Sequence, residues 1–118
     1  MVINMRKLIK IFKALSNTNR MRILKMLEVK PLCVCEITEI LKLAPSTVSK
    51  HLSILRDTEL ILNIKDGKWV DYYLNPSMSE LYVSELLSLL RKWLPDSKII
   101  NEDRKKANQI DREQICGV

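Results

Sequence analysis

The chain has 118 residues, of which 47% are hydrophobic and 29% charged, and this composition suits one globular domain and excludes wholesale disorder. It has neither an apolar run of about 18 residues nor a signal peptide, so we expect a cytoplasmic protein that does not enter a membrane. The net charge is +6, with 11 Lys and Arg against 5 Asp and Glu in residues 1–59 and 9 of each in residues 60–118. The basic first half predicts salt-dependent binding to phosphate.

Two helices are predicted at the start of the chain. Residues 2–15 have apolar residues at helical spacing, including Leu8 and Phe12. Capping residues at 16–19 end this helix and begin a second one over residues 18–29. The cations that we expect to be exposed on the second helix are Arg20, Arg22 and Lys25.

Residues 31–55 predict two short helices joined by a tight turn. In the first, an apolar stripe with i, i+3, i+4 spacing leaves Glu36 and Glu39 toward solvent. Pro45 cannot continue that helix, but it suits the first position of the next one. The exposed face of the second helix is polar or cationic and nearly free of acid, and its residues are Ser46, Thr47, Ser49, Lys50 and His51.

This pair of helices is typical of a helix-turn-helix motif, whose second helix reads the major groove of double-stranded DNA. We therefore predict that those five residues face the bases and that Lys42 neutralises a phosphate.

A β-hairpin follows the motif. Residues 61–64 and 69–74 alternate as strands on either side of an Asp66-Gly67 turn. A hairpin in this position is a wing, and Lys65 and Lys68 at its tip are suited to a phosphate contact. For either lysine alone, a solvated turn explains the residue as well.

The next predicted helix, over residues 78–94, is too apolar to cover only one core. One stripe is Tyr82, Leu86, Leu89 and Trp93, and the adjacent stripe is Val83, Leu87, Leu90 and Leu94. One stripe can pack on the chain's own domain while the other pairs with a second subunit. The alternative, a fully buried central helix, is hard to build in so short a chain. The predicted homodimer contacts are Leu8, Phe12, Leu86, Leu89, Leu90 and Trp93.

The C-terminal segment is charged and only weakly periodic, which predicts a linker or a marginal helix. We divide the chain into a DNA-binding and dimerisation domain, residues 1–94, and a tail, residues 95–118, that carries Cys116.

Cys33 and Cys35, at the entrance of the helix-turn-helix, are candidate ligands. Thiolates select soft acceptors such as As(III), Sb(III), Cd(II), Pb(II), Cu(I) and Zn(II). In an ideal helix two residues two apart point about 200° away from each other, so both sulfurs reach one atom only where the helix start is unwound or extended. Ligand binding would then distort this helix and shift the recognition helix. An odd number of cysteines in the cytoplasm argues against a disulfide framework, and buried, apolar-like cysteines are the alternative.

Three segments, at residues 14–23, 30–37 and 46–52, resemble the ArsR/SmtB family of repressors, over about residues 8–94. The resemblance implies a mainly α winged helix-turn-helix with a small hairpin, acting as a homodimer that binds operator DNA until an inducer releases it. The arsenic-responsive subgroup is the most similar, which implies As(III) or Sb(III) as inducer and Cys33 and Cys35 as ligands. Its third cysteine is Thr38 here, so Cys116 of either subunit, or a cellular thiol, would complete the site.

Two alternatives stay open. A repressor of the same fold could sense Cd(II), Pb(II), Zn(II) or thiol oxidation, although residues 78–94 contain no histidine for the family's other zinc site. The other alternative is a thiol enzyme or a metal-trafficking protein. No His/Asp partner, Gly-rich loop or carboxylate pair accompanies the cysteines, so we predict that the protein is not an enzyme.

Overall fold

The computed structural model describes residues 3–76 and 81–116, and within these ranges it contains seven helices and three strands. The elements are α1 (Met5–Leu15), α2 (Thr18–Leu27), β1 (Leu32–Cys33), α3 (Val34–Leu41), α4 (Pro45–Asp57), β2 (Ile61–Asp66), β3 (Trp69–Leu74), α5 (Leu81–Lys92), α6 (Lys98–Gln109) and α7 (Arg112–Ile115). The predicted fold class, mainly helical with a small antiparallel sheet, is confirmed. No helix in the described ranges is long and apolar enough to cross a membrane.

Asparagine caps begin the first two helices. The side chain of Asn4 accepts a hydrogen bond from the backbone N–H of Lys7, and Asn17 does the same for Arg20. The predicted start of the first helix, at residue 2, lies outside the described residues. The prediction that Lys25 is exposed was wrong, because α5 and α6 cover that side of α2. Its side chain is buried, with the residue 3% exposed, and its ammonium donates to the carbonyl of Leu90 at 2.6 Å.

The helix-turn-helix is α3 and α4, as predicted. Lys42 ends α3 in the left-handed conformation, with φ of 59°, and Pro45 is the first residue of α4. Glu36, which we expected to face solvent, is buried because its carboxylate accepts a hydrogen bond from the backbone N–H of Cys33 at 3.0 Å. The apolar side of α4 packs into the core through Val48, Leu52 and Leu55.

The sheet has three antiparallel strands in the order β1-β3-β2, one more than the hairpin predicted. Strand β1 has two residues, Leu32 opposite Tyr72 and Cys33 opposite Asp71. Such a short strand has no periodicity for a sequence to reveal. Its pairing fixes the backbone of Cys33 to the wing.

The hairpin turn lies one residue later than expected. Asp66 pairs with Trp69, so the loop is Gly67 and Lys68. Gly67 has a φ of +62°, which suits the first central position of a two-residue turn. The wing is tied to the recognition helix because Arg56 donates to the side chain of Asn63 at 2.9 Å.

The two stripes of α5 separate only in part, since Leu94 is exposed and Leu86 packs partly on the core. Val83 and Leu90 are buried in the core, whereas Leu89 and Trp93 of the other stripe are exposed. Leu90 was also among the predicted dimer contacts, and its burial within the subunit assigns it to the core. The expected beginning of this helix at residue 78 lies outside the described residues.

The charged C-terminal segment forms helices. Helix α6 packs on α2 through Ile100 and Ala107. Asp103, which is 1% exposed, accepts two hydrogen bonds from the guanidinium of Arg22, at 2.8 and 2.9 Å. Helix α7 then folds back onto α3. The buried ion pair fixes the direction in which the end of the chain runs.

We expect Asp103→Ala to lower the free energy of unfolding by about 3 kcal/mol, because it leaves a poorly hydrated guanidinium without its partner. Urea unfolding measures this. Glu102→Ala, at an exposed position on the same helix, is the matched control and should change stability by less than about 0.5 kcal/mol. Equal stability of the two variants would contradict the assignment of Arg22 and Asp103 as a stabilising buried ion pair.

Candidate functional site

The predicted DNA-reading face is exposed on α4. Ser46, Thr47, Lys50 and the half-buried His51 line a shallow surface depression of about 520 Å³, which also includes Arg20 and Ile54. Ser49 is exposed but lies outside this depression. The depression sits at the N-terminal end of α4, where the helix dipole favours an anion.

Arg20 completes this face, and the sequence analysis predicted only that it is exposed. Its guanidinium donates to the carbonyls of Ala14, at 2.7 Å, and Lys13, at 3.1 Å. A third nitrogen lies 3.2 Å from Nδ1 of His51. Two backbone carbonyls therefore fix a cation beside the recognition helix.

Burial, together with the positive charges of Arg20 and Lys50, lowers the pKa of His51. The imidazole is thus neutral at neutral pH, and its Nδ1 can accept from the guanidinium of Arg20. That tautomer carries its hydrogen on Nε2, which is then a donor for a base or a phosphate.

A second basic surface adjoins this one. Arg6, Lys10 and Lys13 of α1 line a cleft of about 600 Å³ that Arg20 also borders. Lys10 forms an exposed ion pair with Asp57 at 2.9 Å, which screens it in part. The positive field predicted from the first half of the sequence is therefore continuous from α1 to α4.

The remaining predicted phosphate contacts are peripheral. Lys65 and Lys68 are exposed on the wing, and the ammonium of Lys68 lies 4.7 Å from the centre of the Trp69 ring. Lys42 forms an exposed ion pair with Glu39 at 3.0 Å. Such pairs are weak, so its charge stays largely available to a phosphate.

Cys33 and Cys35 differ in backbone conformation. It is the last residue of β1 and the N-cap of α3, in an extended conformation with φ of −93° and ψ of 170°, whereas Cys35 lies in the first turn of the helix. The thiol of Cys33 is buried, with the residue 2% exposed. Across residues 3–76 and 81–116, no three His, Cys, Asp or Glu side chains are gathered to hold a metal ion. A three-sulfur site would need movement.

Cys116 lies beside Cys35 in the same subunit, and the two form a disulfide with their Cα atoms 6.2 Å apart. This corrects the expectation that the cysteines are free thiols. The reason is tertiary, because the docking of α7 on α3 brings together residues 81 positions apart in the sequence. Cys33 is left as the free cysteine among the described residues.

Arg112 of α7 contacts the wing close to the cysteines, and no sequence pattern predicted this role. Its guanidinium donates to Asp66 at 2.7 Å and to Asp71, and it stacks 4.3 Å from the centre of the Trp69 ring. It also acts on the nearby thiol of Cys33, whose pKa it lowers. Burial acts to lower the pKa of Arg112, but the hydrogen bonds to the two carboxylates outweigh it and raise that pKa.

Burial raises the pKa of Cys33, and the charge of the Glu36 carboxylate acts in the same direction. The backbone N–H of Glu36 and the guanidinium of Arg112 only partly oppose this effect. Cys33 is therefore a protonated thiol at neutral pH.

Comparisons with known proteins agree with this geometry. A family profile described as "Bacterial regulatory protein, arsR family" matches residues 17–62. The chain is 34% identical over 113 residues to the arsenic resistance transcriptional regulator ArsR2 of Pseudomonas putida, which covers 90% of this chain and 94% of that one. It is 41% identical over 69 residues to the arsenical resistance operon repressor of Escherichia coli K12, a match that covers 58% of this chain and spans only 59% of that relative. Among solved structures, reduced HlyU from Vibrio cholerae has a TM-score of 0.64 at 31% identity, over 77% of this chain and 92% of that one.

In the reduced, folded protein we expect iodoacetamide to label Cys33 more slowly than Cys35 or Cys116. Each unit by which the pKa of Cys33 is raised lowers its reactive thiolate fraction about tenfold, and burial slows the reaction further. Peptide mass spectrometry over pH 7 to 9 measures the three rates, and urea-unfolded protein is the control in which they converge. If Cys33 is labelled first in the folded protein, the assignment of Cys33 as a buried, protonated thiol is wrong.

Proposed function

The chain belongs to the arsR family of bacterial regulatory proteins, and on that premise we propose that As(III) or Sb(III) releases it from operator DNA by binding its cysteine thiolates. Members of the family are transcriptional regulators and not enzymes, so the thiols serve recognition and not catalysis. The observation that carries the proposal is the position of Cys33 and Cys35 at the start of α3, the helix that positions the recognition helix. We place its action in the cytoplasm, on double-stranded DNA.

The DNA interface that we propose combines two kinds of contact. The exposed polar side chains at the start of α4 would read base edges, and the fixed guanidinium of Arg20 would meet the backbone beside them. Lys65 and Lys68 would bind phosphates along the adjacent groove. The basic cleft of α1 would add to the attraction at long range.

The inducer site would use three sulfurs. Arsenous acid reacts with three thiols to give three As–S bonds and three molecules of water, the thiol protons leaving with the hydroxyl groups of arsenic. Cys33 and Cys35 would supply two sulfurs, and Cys116, which already contacts Cys35, would supply the third. The Cys35–Cys116 bond must first be opened, and a cellular dithiol does this by exchange while it becomes a disulfide itself.

Binding would disturb the DNA face through the start of α3. To share an arsenic atom, Cys33 and Cys35 must change the first turn of the helix, where Glu36 caps the backbone of Cys33. Helix α3 packs on α4, so a shift of α3 moves the reading face. Strand β1 carries the same change to the wing because Cys33 pairs with Asp71.

A homodimer would present two such faces to a palindromic operator. An exposed apolar surface supports this assembly. Phe12 of α1 is 54% exposed and Trp93 of α5 is 51% exposed, and Leu89 lies on the same exposed stripe of α5. Leu8 and Leu86 are half-buried and would extend the interface. Leu90 is left out because it belongs to the core.

The same thiolates could take Cd(II), Pb(II) or Zn(II), since all are soft or borderline acceptors. A second candidate function is thiol-redox sensing, which the Cys35–Cys116 bond favours. Hydrogen peroxide would join the two thiols and be reduced to two molecules of water. Operator affinity of the oxidised and reduced protein without metalloid tests this candidate.

We expect As(III) to release an operator fragment from the reduced parent protein, with loss of response in Cys33→Ser, Cys35→Ser and Cys116→Ser, because serine cannot replace a thiolate for As(III). Fluorescence anisotropy of labelled DNA measures the release, and each variant must first bind DNA as tightly as the parent. Cd(II) titrated in parallel ranks the two inducers by affinity.

The outcomes separate the hypotheses. If only Cys116→Ser keeps a normal response, the site holds two protein thiolates and the tail cysteine is a bystander. A parent that keeps its DNA at saturating As(III) rules out the arsenic proposal. Release by Cd(II) alone would favour the heavy-metal alternative.

We also expect Trp93→Asp to convert a dimer into monomers, since burying an unpaired carboxylate in an apolar interface is costly. Sedimentation equilibrium at micromolar concentration measures the mass. Ile64→Asp, at an exposed apolar position on the wing, is the matched control and should leave the dimer intact. A monomeric parent, or a dimeric Trp93→Asp variant, would contradict the interface.

A further inference from the structure

We propose that Arg112 is a positioning residue that holds the wing in its DNA-binding charge state, and that inducer binding withdraws it. In the resting protein its guanidinium pairs with two wing carboxylates and neutralises their charge. When Cys116 moves to complete the inducer site, Arg112 moves with it and uncovers them near the DNA. This inference rests on the proposed function, because it explains how the cysteines reach the wing.

The first support is that one guanidinium contacts both sites. It donates to Asp66 at the end of β2 and to Asp71 within β3, and it lies over the ring of Trp69. The same group lies near enough to the thiol of Cys33 to lower its pKa.

The second support is the geometry of α7. Arg112 and Cys116 are four residues apart, so they lie one turn apart on the same side of the helix, and the N–H of Cys116 donates to the carbonyl of Arg112 at 2.8 Å. A movement of the Cys116 sulfur therefore displaces the Arg112 backbone. None of the four residues of α7 is buried, so its displacement exposes little apolar surface.

The end of α6 provides the pivot for this movement. Ile110 is half-buried against the core, and its carbonyl accepts a hydrogen bond from the ammonium of Lys30 at 3.2 Å. Asp103 fixes α6 itself to α2. Helix α7 can then move while the rest of the C-terminal segment stays in place.

The third support is the charge at the wing. Asp66 is exposed, within the same tip as Lys65 and Lys68. With Arg112 in place, three cations outnumber the two acids Asp66 and Asp71, and without it the charges balance. Carboxylates uncovered beside a phosphate backbone weaken binding, because a like charge replaces a neutralised one.

The chemistry of the inducer provides the displacement. Each As–S bond forms as a thiol proton and an arsenic-bound hydroxyl leave together as water. Three sulfurs bound to one arsenic atom are not bonded to one another, so the Cys35 and Cys116 sulfurs must separate from the contact they make in the disulfide, and we assign this movement to Cys116. Arsenic bonded to Cys33 also removes the thiol that Arg112 contacts.

The test compares Arg112→Gln with the reduced parent. Glutamine keeps a polar side chain but cannot neutralise the acids. In anisotropy titrations without As(III), we expect operator affinity to fall roughly three- to tenfold. The further loss on adding As(III) should be smaller than in the parent. The matched control is Arg104→Gln, which removes a cation of α6 that binds Glu28 at the end of α2. This variant should behave as the parent.

Charge masking predicts a rescue that a purely structural role would not show. Adding Asp66→Asn and Asp71→Asn to Arg112→Gln should restore affinity to within about twofold of the parent, because no acid is left to uncover. Tryptophan emission gives an independent signal. As(III) should change the emission of the parent, and Trp69→Phe should remove most of that change.

Two results would overturn the proposal. One is an Arg112→Gln variant that binds and releases DNA as the parent does. The other is a triple variant that stays as weak as Arg112→Gln. If the parent itself keeps its operator at saturating As(III), the proposed function fails and the coupling to the cysteines fails with it. Loss and rescue of affinity without As(III) would then still establish the masking of the wing.

Discussion

The constraint on which the structure depends is the dual role of the Cys33 backbone. This residue ends β1, where it pairs with Asp71 of the wing, and it is also the N-cap of α3. The carboxylate of Glu36 satisfies its N–H from within the helix. A change in the conformation of Cys33 must therefore alter the sheet and the first turn of α3 together, which makes it an effective place for an inducer to act.

The C-terminal helices connect this region to α2 and to the wing. The pair between Arg22 and Asp103 fixes α6 on α2, and α7 then reaches both Cys35 and the wing. The segment combines a firmly packed helix with a weakly packed one, since α6 buries side chains in the core and α7 buries none. The proposed switch needs both helices, because displacing α7 must cost little free energy and α6 must stay in place when α7 moves.

Helix α1 contributes to two surfaces of different character. Its cations line the cleft beside α4, while its Phe12 is exposed and apolar, like the exposed stripe of α5. No residue of that stripe lines the basic cleft, so a dimer built on the stripe would not use the cations of the cleft. The arrangement separates assembly from recognition without separate domains, which suits a chain of 118 residues.

The sequence by itself determined the elements whose cause is local. Apolar spacing and Pro45 defined the helix-turn-helix, alternation defined the wing, and the two stripes of α5 predicted that the helix would bury one side and expose another, without showing which. It also identified Cys33 and Cys35 as candidate ligands and required an extended backbone there, which Cys33 has. The family followed from the same motifs, because they lie close together in the chain.

Only the tertiary structure decided the contacts between distant residues. The approach of Cys116 to Cys35, the pair of Arg20 with His51 and the position of Arg112 over the wing join residues 31 to 81 positions apart. Burial of Lys25 was missed for the same reason, since its ammonium donates to the distant carbonyl of Leu90. Glu36 is buried by a local contact instead, because its carboxylate accepts from the backbone N–H of Cys33, and apolar periodicity does not reveal this contact. Charge patterns predict which residues prefer water, and the packing of α5, α6 and α7 determines which of them find a partner instead.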